Sequence, residues 1–312
     1  MHTDQNANIE EDAKALRKAM KGLGTDEDTI IKIVANRTYP QRRAIFDSFR
    51  QQFDRDLISD LKSELGGKLE DVVIGLFTEP VEYDVIQLKK AMKGAGTDED
   101  ILMEILASRP NWYIQKIKQV YRIKYDKDLI DDVQSELSGD LKQCMTAVVN
   151  LVRSENENPD ENYCKQKSDE LFKAGEKKLG TDEDTFIKIL TECSPSEICL
   201  INKIYIENHG HDLITAIDKE FSRKMKVYLK AIVHAIINCP EYFATRVNKA
   251  IKGWGTNDKM LIRILVSRCD VDLLKIMEAY QKLYGKSMYD DIKNDTSGDY
   301  QKIVCAIASK NY

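Results

Sequence analysis

A glycine-rich turn is followed by a carboxylate at a constant distance in four places along this chain of 312 residues. The acidic residue always comes 40 residues after the second glycine of the turn. The pairs are Gly24 with Glu64, Gly96 with Glu136, Gly180 with Glu220, and Gly255 with Asp295. Outward-turned backbone carbonyls, one distant carboxylate and water form the hard-oxygen shell that Ca²⁺ prefers. The constant spacing therefore predicts calcium sites, although the sequence contains no EF-hand loop.

The glycine turn also has a purely structural interpretation, because glycine supplies the left-handed backbone that ends one helix and starts another. The recurring carboxylate favours the metal. It lies at a predicted helix C-terminus, where partial negative charge makes a further negative charge unfavourable unless a cation compensates for it. A shell with so few protein ligands leaves positions open for outside oxygens, such as those of a lipid phosphate.

The turn belongs to an internal repeat that occurs four times. The copies read KAMKGLGTDED from residue 18, KAMKGAGTDED from 90, AGEKKLGTDED from 174 and KAIKGWGTNDK from 249. An apolar pattern typical of one helix face follows each turn, beginning at Leu57, Leu129, Leu213 and Met288. The chain is therefore predicted to form two pairs of repeats joined by a polar linker. The predicted boundaries are 1–9 for a short N-terminal segment, 10–80 for repeat I, 81–152 for repeat II, 153–163 for the linker, 164–237 for repeat III and 238–312 for repeat IV.

The predicted fold class is all-α, with four repeats of five short helices each, because helical patterns recur and no stretch shows sustained strand alternation. In repeat I, we expect Thr25 to cap the second helix, with Asp28 as its capping-box partner. The glycine after the fourth helix, Gly67 in repeat I, is expected to end that helix beside the acid. The helices predicted for repeat I span 10–21, 25–37, 40–53, 56–65 and 68–77.

Composition excludes several classes of protein. The formal net charge is −5 and no basic stripe is visible, which argues against nucleic acid as a partner. No apolar run approaches the roughly 20 residues that cross a bilayer, and no secretory signal is visible. The seven cysteines lack zinc-like spacing and are interpreted as thiols of a reducing cytoplasm. Since HExxH and GxSxG motifs are absent, we predict that the protein is not an enzyme.

The turn motif M/I-K-G-x-G-T-D/N-E/D, with its carboxylate 40 residues after the second glycine, closely resembles the repeat of the annexins. The resemblance covers about residues 10–311 and includes IRILVSR at 262–268 and SGDY at 297–300. It implies a slightly curved disc of four repeats, whose convex face carries calcium sites and meets phosphatidylserine-type anionic membranes. It further implies a cytoplasmic protein that becomes peripheral at membranes when calcium rises, and it leaves self-association on the membrane open.

The resemblance also implies the calcium ligands, position by position. The main site of each repeat would use three backbone carbonyls and the distant carboxylate. These sets are Met20, Gly22, Gly24 and Glu64; Met92, Gly94, Gly96 and Glu136; Gly175, Lys178, Gly180 and Glu220; and Ile251, Gly253, Gly255 and Asp295. A secondary site would use the threonine carbonyl and the acid two residues later. These pairs are Thr25 and Glu27, Thr97 and Glu99, Thr181 and Glu183, and Thr256 and Asp258.

Two further sets of residues follow from the turns and from the third repeat. The residue between the glycines is expected either to touch the lipid interface or to pack under the turn. This residue is Leu23, Ala95, Leu179 or Trp254. The third repeat departs from the common pattern, so its site is expected to be the weakest or missing. The departures are at Lys178, Cys193 and Arg223.

Alternatives remain for the polar axis and for the function. Five charged residues match a polar axis of the family, and a structural ion-pair network is the alternative to ion conduction there. They are Asp84, Glu104, Arg109, Arg263 and Arg268. The alternatives to membrane binding are a cytosolic calcium buffer and a helical-repeat scaffold whose turns are purely structural.

Overall fold

The computed structural model describes residues 8–22, 24–94, 96–177, 179–253 and 255–309. This part of the chain forms 20 α-helices and no strand, which confirms the all-α prediction. None of its helices is both long enough and apolar enough to cross a membrane. Repeats I and II contain α1 Ile9–Ala19, α2 Glu27–Ala35, α3 Tyr39–Phe53, α4 Leu57–Glu64, α5 Gly67–Phe77, α6 Pro80–Ala91, α7 Glu99–Ser108, α8 Asn111–Tyr125, α9 Leu129–Glu136 and α10 Gly139–Val149. Repeats III and IV contain α11 Glu161–Ala174, α12 Glu183–Glu192, α13 Pro195–His209, α14 Leu213–Glu220, α15 Arg223–Ile237, α16 Cys239–Ile251, α17 Asp258–Arg268, α18 Leu273–Tyr284, α19 Met288–Asp295 and α20 Gly298–Ala308.

The helix bounds in repeat I lie within two residues of the predicted ones, but the cap of α2 differs. Asp26 is the N-cap, and its carboxylate accepts a hydrogen bond from the Thr29 N–H at 3.0 Å. The prediction of Thr25 as the cap is wrong because its hydroxyl donates instead to the carboxylate of Glu64. The second helices of the other repeats use the matching side chains, which are Asp98, Asp182 and Asn257.

The apolar face predicted on the fourth helix of each repeat is buried. In α4, Leu57 and Leu61 are fully buried and hold the helix against α3 and α5. The matching residues of the other repeats are also buried, namely Leu129, Val133, Leu213, Ile217, Met288 and Ile292. Each such side chain contributes about 1.5–3 kcal/mol when buried. This packing fixes the position of Glu64, the last residue of α4.

Contacts divide the chain into two compact units. Unit 1 combines Met1–Tyr83 with Phe243–Tyr312, and unit 2 is Asp84–Tyr242. Repeats I and IV therefore form one unit, and repeats II and III form the other. The prediction that the linker joins a pair made of repeats I and II to a pair made of repeats III and IV is wrong. Within each unit, the second helix of one repeat packs on the fifth helix of the other. These contacts are α2 with α20 and α17 with α5 in unit 1, and α7 with α15 and α12 with α10 in unit 2.

The segment predicted as a linker belongs to unit 2 and is held there by hydrogen bonds. The Arg153 guanidinium donates to the carbonyl of Leu190 at 2.9 Å and to that of Cys193 at 2.8 Å. Helix α11 begins at Glu161, inside the predicted linker, because Asp160 provides an N-cap. The segment is therefore polar because it contains a short connection and the capped N-terminus of α11.

The first residue of the fifth helix has a left-handed backbone in every repeat. Gly67 has φ +59°, while Gly139 and Gly298 have φ +58° and +63°. Repeat III places Arg223 at this position with φ +49°. The expectation that this glycine ends the fourth helix is wrong, because α4 already ends at Glu64. A left-handed L-residue costs roughly 1–2 kcal/mol, so repeat III carries a local strain that the other repeats avoid.

Replacing Arg223 with glycine should relieve this strain. We expect Arg223→Gly to stabilise the protein by about 1 kcal/mol, less than the full strain because glycine also gives the unfolded chain more freedom. Urea unfolding followed by circular dichroism measures the change. Gly139→Ala is the matched control, since it puts a side chain on the same left-handed backbone in repeat II and should destabilise the protein. A lower unfolding midpoint for Arg223→Gly would contradict the assignment of strain.

Candidate metal centres

A threonine hydroxyl contacts the distant carboxylate in every repeat. The Thr25 Oγ1 donates to Glu64 Oε2 at 2.8 Å, across 39 residues of sequence. The matching distances are 3.1 Å from Thr97 to Glu136, 3.1 Å from Thr181 to Glu220 and 2.6 Å from Thr256 to Asp295. The structure thus brings together the glycine turn and the acid that the sequence pairs by spacing alone. The role of the hydroxyl was missed in the sequence, although the threonine follows the second glycine in all four copies.

The carbonyls of the turn are open to an outside partner. Gly22 and Gly24 have φ +125° and +87°, a backbone that side chains rarely tolerate. Within the described residues, no backbone N–H donates to the carbonyl of Met20, Gly22 or Gly24. The same holds for the predicted ligand carbonyls of Met92, Gly94, Gly96, Gly175, Gly180, Ile251, Gly253 and Gly255. Unpaired carbonyls at a helix C-terminus need water, a side chain or a cation.

The carboxylate of each site lies at the negative end of a helix. Glu64, Glu136, Glu220 and Asp295 are the last residues of α4, α9, α14 and α19. A negative charge there is unfavourable without compensation, and the threonine hydroxyl supplies only one hydrogen bond. An all-oxygen donor set of carbonyls and one carboxylate fits Ca²⁺. No group of three or more His, Cys, Asp or Glu side chains gathers in a metal-binding arrangement within the described chain, so backbone carbonyls must supply most of the protein ligands.

The turn of repeat III is one residue longer than the others. The Ala174 carbonyl accepts from the N–H of Asp182, eight residues on, whereas the Ala19 carbonyl accepts from Asp26, seven residues on. Equal-length comparison of the four motifs concealed this insertion. The threonine–carboxylate contact is nevertheless preserved in repeat III, because the extra residue is accommodated before Gly180. Lys178, a predicted ligand of this site, lies outside the described residues.

The added length of the third turn is anchored by Glu176. Its Oε1 accepts from the Tyr205 hydroxyl at 3.1 Å and lies 2.7 Å from His211 Nε2. His211 therefore helps to hold this turn. Next to it, Gly175 lies so close to Glu220 that an added Cβ would be 2.9 Å from the Glu220 Cγ.

The acids of the predicted secondary sites have two different environments. Glu27 and Glu183 have no side-chain partner in the described part of the chain. Glu99 and Asp258 each pair with a lysine from the neighbouring repeat. Glu99 also accepts a hydrogen bond from the Tyr228 hydroxyl at 2.7 Å. Burial and this hydrogen bond raise the pKa of the Tyr228 phenol, so the phenol stays protonated and can donate.

One turn-tip residue can be assessed directly. Leu179 is fully exposed, so it does not pack under its turn. The other three predicted lipid-contacting residues lie outside the described residues. They are Leu23, Ala95 and Trp254.

Three of the five residues predicted for a polar axis, Asp84, Arg109 and Arg268, form ion pairs inside their own unit. In unit 2, the Arg109 guanidinium binds the buried Asp84 carboxylate at 2.8 and 3.2 Å. In unit 1, the Arg268 guanidinium binds Asp272 at 2.8 and 2.5 Å. Glu104 and Arg263 are buried. These contacts support the structural interpretation of the charged residues.

Comparison with known proteins agrees with the repeat pattern. The annexin family model matches residues 11–76, 83–148, 167–232 and 242–307. The chain belongs to the annexin family. Its four matched segments correspond to the four five-helix repeats, which confirms the resemblance on which the sequence interpretation depends. Calcium and phospholipid binding is the property of this family.

Individual annexins match over nearly the whole chain. Annexin A4 of Bos taurus is 44% identical over 297 residues, covering 95% of this chain and 93% of its own length. Annexin A11 of Homo sapiens is 42% identical over 300 residues, covering 96% of this chain. The chain spans only 59% of the length of that relative. The solved structure of annexin III superposes with a TM-score of 0.94 at 38% identity, covering 100% of this chain and 97% of the other.

The contact between Gly175 and Glu220 can be tested through stability. We expect Gly175→Ala to destabilise the protein by about 1–3 kcal/mol, because the added Cβ must displace the Glu220 side chain. The urea unfolding midpoint measures the loss. Gly253→Ala is the matched control in the fourth turn, where a Cβ would meet nothing within 4 Å. Equal midpoints for the two variants would show that the Glu220 side chain can keep its position when residue 175 carries a Cβ.

Proposed function

We propose that this annexin binds anionic phospholipid membranes in a calcium-dependent manner, through calcium held by its glycine turns. The observation that carries the proposal is the pairing, in all four repeats, of open turn carbonyls with a carboxylate held by a threonine hydroxyl. The proposed main ligands are those assigned above to each turn, including the distant acid. No catalytic step is proposed, and the expected location is cytoplasmic, with peripheral association at membranes.

The charge of the protein explains why a cation is needed. The chain has a formal net charge of −5, so an anionic membrane repels it on average. Three carbonyls and a carboxylate provide fewer oxygens than the six to eight that Ca²⁺ generally takes. Bound calcium supplies positive charge with coordination positions left for water or lipid phosphate oxygens. The proposed lipid specificity is for headgroups that carry net negative charge, such as phosphatidylserine.

The exposed Leu179 supports contact with the membrane interface. Its side chain lies fully in solvent at the tip of the third turn, two residues before Thr181. Burying a leucine side chain at the membrane would stabilise the bound state by about 1.5–3 kcal/mol. A calcium buffer that stays in the cytosol would gain nothing from this exposed side chain. We propose that Leu23, Ala95 and Trp254 have the same role in the other turns.

Sedimentation with lipid vesicles tests the proposed function. The protein should pellet with phosphatidylserine-containing vesicles in the presence of calcium and return to the supernatant after chelation. Vesicles of phosphatidylcholine alone provide the lipid control. Calcium uptake without vesicle binding would identify a buffer, and equal pelleting with calcium and with chelator would overturn the proposal.

The main sites can be ranked by removing one carboxylate at a time. We expect Glu64→Gln to raise the calcium concentration for half-maximal vesicle binding about tenfold, the effect of losing one charge-assisted interaction. Glu220→Gln should have the smaller effect, because the guanidinium of Arg223 follows closely in the chain and adds positive charge. Both variants keep the size of the side chain. A larger effect of Glu220→Gln would show that the third site is not the weakest.

A further inference from the structure

Two of the four secondary-site acids are engaged by a lysine of the paired repeat, and one of these acids is also engaged by a tyrosine. In unit 2, Lys224 Nζ lies 2.9 Å from Glu99 Oε1 and 2.7 Å from Oε2. The buried Tyr228 donates to the same carboxylate. Both carboxylate oxygens of Glu99 are therefore occupied by protein donors.

A lysine of the paired repeat also contacts the acid in unit 1, but the tyrosine beside that lysine, Tyr300, lies on α20 of the same repeat as Asp258. Lys68 Nζ lies 2.5 Å from Asp258 Oδ2 and 5.3 Å from the centre of the buried Tyr300 ring. Lys68 follows the left-handed Gly67 at the start of α5, as Lys224 follows the left-handed Arg223 at the start of α15. We call the set Lys224, Tyr228 and Glu99 the repeat II latch. The pair Lys68 and Asp258 is the repeat IV latch.

The other two repeats lack a latch for a reason visible in the sequence. The position after the left-handed residue is lysine in repeats I and III but aspartate in repeats II and IV, at Asp140 and Asp299. Because the second helix of each repeat packs on the fifth helix of its partner, the lysines of I and III meet the acids of IV and II. The helices that pack on the second helices of repeats I and III have aspartate as their second residue instead. Glu27 and Glu183 have no side-chain partner in the described chain.

We propose that Lys224 and Lys68 are built-in competitors of calcium, which close the secondary sites of repeats II and IV and leave those of repeats I and III open. This inference rests on the proposed function, because it assigns which of its secondary sites take up calcium. A lysine ammonium and Ca²⁺ require the same carboxylate oxygens. Calcium therefore binds Glu99 or Asp258 only after the ammonium has left, and its apparent affinity there falls accordingly. The latches also make packing of the paired repeats depend on these acids.

Calcium titration of lipid-free protein tests this assignment. We expect Lys224→Met to add a calcium site or tighten an existing one about tenfold, the effect of removing one charge-assisted competitor. Isothermal titration calorimetry measures the number of sites and their affinity. Lys165→Met is the matched control, because Lys165 is an exposed lysine of the same unit that pairs at 2.6 Å with Glu161 at the start of α11, ten or more residues from the nearest predicted ligand. Lys68→Met should produce a corresponding gain in unit 1.

Terbium luminescence locates the gained site. Tyr228 touches Glu99, so a Tb³⁺ ion bound at Glu99 should be sensitised by tyrosine excitation in Lys224→Met. This added signal should be lost in Lys224→Met combined with Glu99→Gln. Lys224→Arg, which keeps the charge, should give the wild-type signal.

The outcomes separate this inference from the proposed function. If wild type pellets with vesicles in calcium, but Lys224→Met and Lys68→Met both titrate like Lys165→Met, the latches are only structural ion pairs and the inference fails. If wild type neither takes up calcium nor pellets, the proposed function itself fails. Circular dichroism confirms folding of each variant, and a misfolded Lys224→Met leaves Lys68→Met, in the other unit, to decide.

Discussion

The contact between a threonine hydroxyl and a carboxylate 39 residues away is the constraint on which each repeat depends. It requires the start of the second helix and the end of the fourth helix to meet at one point. The buried apolar face of the fourth helix provides this, because packing against the neighbouring helices fixes where that helix ends. The contact also explains the shifted cap. Since Thr25 is committed to Glu64, Asp26 takes over the N-terminus of α2. The same few side chains thus stabilise the repeat and position the site.

Local signals in the sequence predicted the helices and the partners within each site. The glycine turns and the apolar spacing from Leu57 were enough to locate five helices in repeat I. Two features were not predicted. The extra residue in the third turn was concealed by comparing segments of equal length, although the Ala of the shared Lys-Ala dipeptide lies six residues before the second glycine in repeat III and five in the other repeats. The hydrogen bond from Asp182 to Ala174 shows it directly. The pairing of repeats depends on complementary surfaces far apart in the chain, which periodicity does not report. The alternation of lysine and aspartate at the start of the fifth helices was a signal for that pairing, but it has meaning only once the partners are known.

The repeats are similar in backbone and unequal in charge. Repeats I and III provide lysines at the start of their fifth helices, and repeats II and IV provide aspartates. Each unit therefore contains one repeat of each kind, joined by an ion pair between a lysine and a second-helix acid. Repeat III adds a strained Arg223 and a turn held by Glu176 and His211. The four repeats are therefore of two kinds. The acid near the start of the second helix pairs with a lysine in repeats II and IV, and it is left for metal binding in repeats I and III.

The division into units has a consequence for how the chain folds during synthesis. Unit 2 is continuous from Asp84 to Tyr242, so all of its residues are available well before translation ends. Unit 1 needs residues from both sides of it, and repeat I must wait for repeat IV before α2 can pack on α20 and α5 on α17. At roughly 5–20 residues per second, the residues between repeats I and IV impose a delay of about 10–30 seconds. During this interval the apolar faces of α2 and α5 are without their partner, which makes repeat I the part of the nascent chain most in need of a chaperone.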